Sequence, residues 1–409
     1  MAVNLNPPDP ESLSPVEGVR LGYAEAGIRT SGRRDLMLMS LAPGSRVAGV
    51  FTENSFAAAP VQVCRQRLAV SDHIRALIVN AGNANCGAGK AGLAAARRTC
   101  DAVAKSLGCT ASEVLPFSTG LILEHLPVER IEAALPHCVA TLNAAHWADA
   151  AAAIMTTDTV PKAVSRTVAL SGKRIAVTGM AKGVGMLAPN MATMLAFIAT
   201  DAAVSGPVLR RMVREVADVS FNRVTVDGDT STNDSFVLIA TGASGAREIS
   251  SPADAGYGLL QGAIGEVAVL LAQAIARDGE GATKFITVEV SGATAVDEAV
   301  AVARSVANSP LVKTAFFASD PNLGRLIMAV GNAGIPALDV SRVNIFLGNV
   351  KVIDAGGRAA SYREEDGARE MKNAEITIRI DLGRGTAGTT MWTCDYSYDY
   401  VKINAEYRT

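Results

Sequence analysis

The segment Gly179-Met180-Ala181-Lys182-Gly183-Val184-Gly185-Met186-Leu187-Ala188-Pro189-Asn190-Met191-Ala192 ends at Thr193, which opens the apolar run Met194 to Ile198. Within it, Gly183 to Ala188 matches the G-x-G-x-x-A pattern that cradles a dinucleotide pyrophosphate at a helix start. Asp201 stands near the distance of a ribose ligand, but Pro189 and Asn190 interrupt the required helix and Met194 to Thr200 reads as a strand. Gly87-Ala88-Gly89-Lys90 lacks the Ser or Thr that would hold magnesium, because Ala91 follows, and it reads as a helix start. Asp227 to Asp234 imitates a calcium loop, yet its sixth position is Thr232 and its twelfth Leu238, where Gly and a bidentate Glu are needed. Gly242-Ala243-Ser244-Gly245 lacks the spacing of a nucleophile elbow. Taken alone, Thr193 is a β-branched residue at a strand start. The loop before it is what packing leaves unexplained.

Positioning such a loop requires a large core, and the composition can supply one. Of 409 residues, 49% are apolar and 19% charged, a balance that excludes disorder. Lys and Arg number 38 against 40 Asp and Glu, so no charge bias favours a polyanionic partner. Apolar stretches such as Val267 to Ala276 stay under the ~20 residues that span a bilayer. The amino terminus lacks the basic start and apolar block of a secretory signal, so the chain is expected to be soluble and cytoplasmic. Six cysteines without a CxxC pair and four histidines without metal spacing point to reduced core residues and no metal site.

Strands are expected at Val47–Phe51, Arg75–Asn80, Val164–Leu170, Lys173–Val177, Met194–Thr200, Arg223–Val226, Ser235–Ala240, Lys284–Val290, Val350–Asp354 and Glu375–Asp381. Helical patterns cover Gly89–Leu107, Ala144–Met155, Pro207–Val219 with Ser205 as N-cap, Tyr257–Arg277 and Asp297–Asn308. Leu260, Ile264, Val267, Leu271 and Ile275 mark one buried helix face. Neighbouring strands without intervening helices favour an α+β layered sandwich over a doubly wound parallel sheet. The stretch Gly179 to Asn190 reads as irregular.

Together with the loop, further motifs resemble the ornithine acetyltransferase family, also described as the bifunctional glutamate N-acetyltransferase family of arginine biosynthesis. They are Asn80-Ala81-Gly82-Asn83-Ala84-Asn85, Ser118-Thr119-Gly120, Met155-Thr156-Thr157-Asp158-Thr159, Thr225 to Ser235, Arg277 to Lys284 and Tyr400 to Thr409. The resemblance covers essentially the whole chain. It implies an α/β/β/α-type sandwich of the self-processing N-terminal-nucleophile kind, cut at Ala192-Thr193 into an α chain 1–192 and a β chain 193–409. The two chains would form one intertwined catalytic unit, as an α2β2 heterotetramer.

By the same resemblance Thr193 is the nucleophile, its new α-amine is the base, and Thr119 and Gly120 form the oxyanion hole. Substrate contacts fall on Thr156 or Thr157, Lys182, Thr193, Glu280, Asn404 and Thr409. Lys182 suits a carboxylate and Glu280 an ammonium group. Read without the family, Ser118-Thr119-Gly120 is an ordinary turn, and Lys182 and Glu280 are solvated loop charges. The reaction implied is ping-pong transfer of acetyl from N-acetylornithine to glutamate, with acetyl-CoA a further donor in bifunctional members and no resident cofactor. Two other readings remain open: a self-processing aminopeptidase or amidase of the same architecture, and a nucleotide-binding protein using Gly183 and Gly185.

Overall fold

A computed structural model describes residues 2–186 and 194–406. The chain divides into two compact units, the larger comprising Pro7–Asn222 and Asp229–Ile275, the smaller Met1–Asn6, Arg223–Gly228 and Ala276–Thr409. In chain order the larger holds β1 (Val19–Ala24), β2 (Leu36–Leu41), β3 (Arg46–Phe51), α1 (Ala59–Val70), β4 (Ala76–Asn83), α2 (Gly89–Leu107), β5 (Val114–Leu121) and α3 (Val128–Ala140). Then follow α4 (Trp147–Ala153), β6 (Lys162–Leu170), β7 (Lys173–Lys182), β8 (Leu195–Thr200), α5 (Gly206–Val219), β9 (Ser235–Ala240) and α6 (Ala255–Arg277).

These strands make a four-stranded sheet, β1-β2-β4-β5, and a five-stranded sheet, β3-β9-β8-β7-β6. Period-two alternation sends Met37, Met39, Leu77, Val79, Leu115 and Phe117 of the first sheet into one core with Met180, Leu195, Phe197, Val237 and Ile239 of the second. Phe117 meets Phe197 edge to face at 5.0 Å. The alternate residues Leu36, Leu38, Ile78 and Val114 pack outward against Val103 of α2 and Ile131 and Leu135 of α3. Over the second sheet, Gly179 makes room for Val267 and Leu271 of α6, which a Cβ would approach to 3.0 and 3.1 Å. Helices thus cover both outer faces, the expected α/β/β/α layering.

The smaller unit runs β10 (Phe285–Ala293), α7 (Val296–Ala307), α8 (Pro310–Phe317), α9 (Leu323–Gly331), β11 (Asn344–Leu347), β12 (Val350–Asp354), β13 (Gly357–Arg358), α10 (Glu364–Met371), β14 (Glu375–Asp381), β15 (Ala387–Cys394) and α11 (Tyr398–Glu406). Its single mixed sheet has the order β13-β12-β11-β14-β10-β15. Val288, Ile345, Ile378 and Ile380 of the sheet share a core with Val302 and Val306 of α7 and Leu326 of α9.

Three expectations need correction. Arg223–Val226 is not a strand: a 3-10 turn occupies Phe221–Arg223 and only an isolated bridge joins Val224 to Trp392. The irregular stretch begins after Lys182, since β7 continues through Gly179 to Lys182. Ser205 sits at the N-cap of α5 as expected, although its hydroxyl makes no capping bond among the described residues. Helix α6 is long and apolar enough by composition to cross a bilayer. Its buried Leu260, Ile264, Val267, Leu271 and Ile275 instead make it a core helix.

Candidate active site

Strands β4 and β5 run parallel with Ala81 opposite Thr119 and Gly82 opposite Gly120, and the register shifts at Gly82–Asn83. Gly120 has φ +135°, and a Cβ there would lie 2.2 Å from the Gly82 carbonyl carbon and 2.5 Å from Asn83 N. Only glycine tolerates both the angle and the approach. Asparagine side chains lock this junction. Asn80 Nδ2 donates to Asn83 O at 2.8 Å, and Ser118 Oγ donates to Asn80 Oδ1 at 2.6 Å. Asn233 Nδ2 donates to Ser118 O at 2.8 Å and to Ala84 O at 2.7 Å. Thr119-Gly120 is therefore a braced strand end, not a turn.

Lys182 ends β7, opposite Leu195 of β8. It is buried, and its Nζ donates to Thr156 Oγ1 at 2.7 Å and to Thr119 Oγ1 at 3.3 Å. The ion pair with Asp158 Oδ2 spans 3.8 Å. Asp158 and Lys162 are both fully shielded from solvent and meet at 2.8 Å. Asp158 also accepts the Gly183 N–H at 2.9 Å and the Thr156 N–H at 3.1 Å. Burial pushes this carboxyl up, but Lys162, Lys182 and the Gly183 N–H outweigh it and hold the group well below the usual carboxylate range. Thr157 lies partly exposed beside Thr156. The reading of Lys182 as a solvated loop charge is thus overturned.

Asp234 is buried and takes the Met194 N–H on Oδ1 at 3.1 Å, while Oδ2 has no partner among the described residues. Burial raises its carboxyl well above the ordinary range, against the pull of that N–H and of Lys182. Asp201, the apparent ribose ligand, instead accepts the Ala176 N–H at 3.0 Å and ties β7 to the end of β8. No helix follows Gly183 before β8 among the described residues.

In the smaller unit, Glu280 is buried and accepts from Asn404 Nδ2 on α11 at 2.9 Å. The Arg277–Lys284 motif is shaped around it. Asp395 Oδ1 takes the backbone N–H groups of Thr283 at 2.8 Å and Lys284 at 2.9 Å, and Ser397 Oγ donates to Gly281 O at 2.6 Å. Glu280 is therefore no solvated loop charge either. Of the expected site residues, Thr119, Gly120, Thr156 and Lys182 gather in the larger unit, and Glu280 and Asn404 in the smaller. Ala192, Thr193 and Thr409 lie outside the described residues. Among the described residues no group of His, Cys, Asp or Glu could hold a metal ion.

Asp158, Lys162, Asp234 and Asp395 are polar supports with no expected role. The Asp158–Lys162 spacing of four was the available signal; Asp234 and Asp395 gave none, since their partners lie in other segments of the chain.

Residues 20–409 match the ArgJ family. The structure of arginine biosynthesis bifunctional protein argJ from Bacillus halodurans is 36% identical, with a TM-score of 0.49, over 51% of this chain and 97% of that one. Ornithine acetyltransferase from Mycobacterium tuberculosis, solved in complex with ornithine, is 34% identical with a TM-score of 0.38, over 44% of this chain and 94% of that one. An L-aminopeptidase D-Ala-esterase/amidase from Ochrobactrum anthropi, a variant of the Ntn hydrolase fold, is 12% identical with a TM-score of 0.38, over 63% and 84%.

Proposed function

The chain belongs to the ArgJ family and is an acetyltransferase of arginine biosynthesis, and from that premise we propose that Thr193 is its nucleophile, exposed by self-cleavage of the Ala192–Thr193 bond. Thr193 Oγ attacks the Ala192 carbonyl carbon, moving the acyl group from nitrogen to oxygen. Water then hydrolyses the ester, leaving an Ala192 carboxylate and a Thr193 α-amine. With a pKa of ~7.7–8.0 that amine is in part unprotonated at neutral pH and accepts the proton of its own hydroxyl.

In the first half-reaction Thr193 Oγ attacks the acetyl carbonyl of N-acetylornithine, and the amine returns the proton to the departing ornithine nitrogen. In the second, the glutamate amine attacks the acetyl ester, giving N-acetylglutamate and free Thr193. The Thr119 hydroxyl and the Gly120 N–H receive the oxyanion of each tetrahedral intermediate. Thr156, Thr157, Lys182, Glu280, Asn404 and Thr409 hold the amino-acid substrates, with Glu280 toward an ammonium group. Acetyl-CoA serves as a second donor. No resident cofactor takes part, and the enzyme works in the cytoplasm as an assembly of two α and two β chains.

One observation carries this reading. The β7–β8 register sets Lys182 opposite Leu195, and the Lys182 ammonium reaches Thr119 Oγ1. The backbone directly after Thr193 is therefore anchored in the strand pair whose end reaches Thr119, which supports the proposed role of that residue. Denaturing mass spectrometry of active enzyme is expected to give two chains, the second beginning at Thr193, with Thr193→Ala staying whole at 42.3 kDa. A fully active uncut chain would sink the mechanism. Water in place of glutamate as acceptor would make the enzyme an amidase.

A further inference from the structure

Resting on the acetyl-transfer reading, Lys182 has contacts that a reader of substrate carboxylates does not need. Its ammonium carries three N–H donors and no acceptor. Two of its neighbours are hydroxyls, Thr156 Oγ1 at 2.7 Å and Thr119 Oγ1 at 3.3 Å. A hydroxyl that receives an ammonium N–H has one lone pair occupied, and its own proton must point elsewhere. The β4–β5 pairing fixes the Thr119 backbone, but the hydroxyl still rotates about its C–O bond, so the backbone does not choose where the proton points.

We propose that Lys182 is a positioning residue for the oxyanion hole: by donating to Thr119 Oγ1 it turns that hydroxyl outward as a standing donor to the acyl oxygen, and the buried Asp158–Lys162 pair holds it there. Asp158 Oδ1 is already occupied by Lys162 Nζ and the Gly183 N–H, and Oδ2 by the Thr156 N–H. It attracts the Lys182 charge from 3.8 Å without pulling the ammonium off the threonines. A donor oriented before the reaction needs no reorientation as charge develops, so its loss falls on kcat.

A double-mutant cycle tests this on acetyl transfer from N-acetylornithine to glutamate, with the wild-type chain, Lys182→Met, Thr119→Ala and the pair. Lys182→Met keeps an apolar stem and leaves Asp158 neutralised by Lys162, so it is expected to fold. Should melting show otherwise, Lys182→Gln replaces it in the cycle. Thr119→Ala is expected to lower kcat by about 10²–10³-fold, as for loss of one oxyanion donor. Lys182→Met is expected to lower kcat by at least ~10-fold in the wild-type background and by less than ~3-fold once Thr119 is gone. An equal factor in both backgrounds, or a rise in KM alone, overturns the proposal and leaves Lys182 a carboxylate reader. A Lys182 variant that stays uncut by mass also overturns it, since the residue would then act in maturation. A wild-type chain without acetyl transfer sinks the reaction itself, whereas additivity in an active enzyme sinks this proposal alone.

Discussion

Asp234 holds the Met194 N–H with one carboxyl oxygen while the other has no partner among the described residues. Its folded pKa is raised, chiefly by burial. The unfolded carboxyl loses its proton near pH ~3.9. Above that pH the folded chain binds more protons than the unfolded one, so this group lowers stability as pH rises toward its folded pKa. Asp234→Asn keeps an oxygen for the Met194 N–H and has no proton to lose. Its melting temperature is expected to match wild type near pH 4 and to exceed it increasingly toward pH 8; a pH-independent difference would mean Asp234 is ionised in the fold. Glu280→Gln keeps the shape that meets Asn404 and removes the charge. If the carboxylate pairs with a desolvated ammonium, kcat/KM for N-acetylornithine is expected to fall by the equivalent of ~2–5 kcal/mol while cleavage proceeds. Unchanged kcat/KM would remove Glu280 from the substrate site.

Among the elements, the β4–β5 junction is the most sharply defined part of the site. Gly120→Ala would press a methyl into the Gly82–Asn83 backbone at a φ that alanine resists. A loss of ~1–3 kcal/mol, or more, is expected in a denaturant melt, with turnover falling by at least ~10²-fold as the Gly120 N–H shifts. A melt like wild type would show that the strands can part there freely. Strands with clear alternation or β-branched content, such as β9 and β14, were readable from sequence, as was α2 from Gly89 to Leu107. By contrast β2, Leu-Met-Leu-Met-Ser-Leu, is buried on both faces, and a continuous apolar run has no period to identify it. Likewise β5 escaped notice, because Pro116 and Gly120 weaken its strand pattern. The site motifs were legible as matches to a family. That Lys182 reaches Thr119, 63 residues away in the chain, was not, because sequence spacing carries no record of strand register between sheets.

For the whole molecule, the five-stranded sheet decides what the proposed cleavage would do. A cut at Ala192–Thr193 leaves β3, β6 and β7 on one fragment and β8 and β9 on the other. In the order β3-β9-β8-β7-β6, the second fragment's two strands lie between strands of the first. Antiparallel pairing of β7 with β8 and of β3 with β9 then crosses between chains on both sides. The two fragments are expected to co-elute on native gel filtration and to separate only in denaturant. Separation without denaturant would contradict this sheet.

That interleaving also changes the molecularity of folding. The uncut chain closes its β7–β8 pair as an intramolecular event, at the high effective concentration a short connection provides. Once the connection is severed, the same pair must be found by two diffusing molecules, and both carry apolar strands prone to wrong partners. The proposed maturation would therefore work as a ratchet: the chain would fold in one kinetic order and, after the cut, could refold only in another. Diluted from denaturant, Thr193→Ala is expected to refold with a yield independent of concentration, while the mature enzyme's yield falls as the protein is diluted. Equal yields at every dilution would show that each fragment finds its fold without the other.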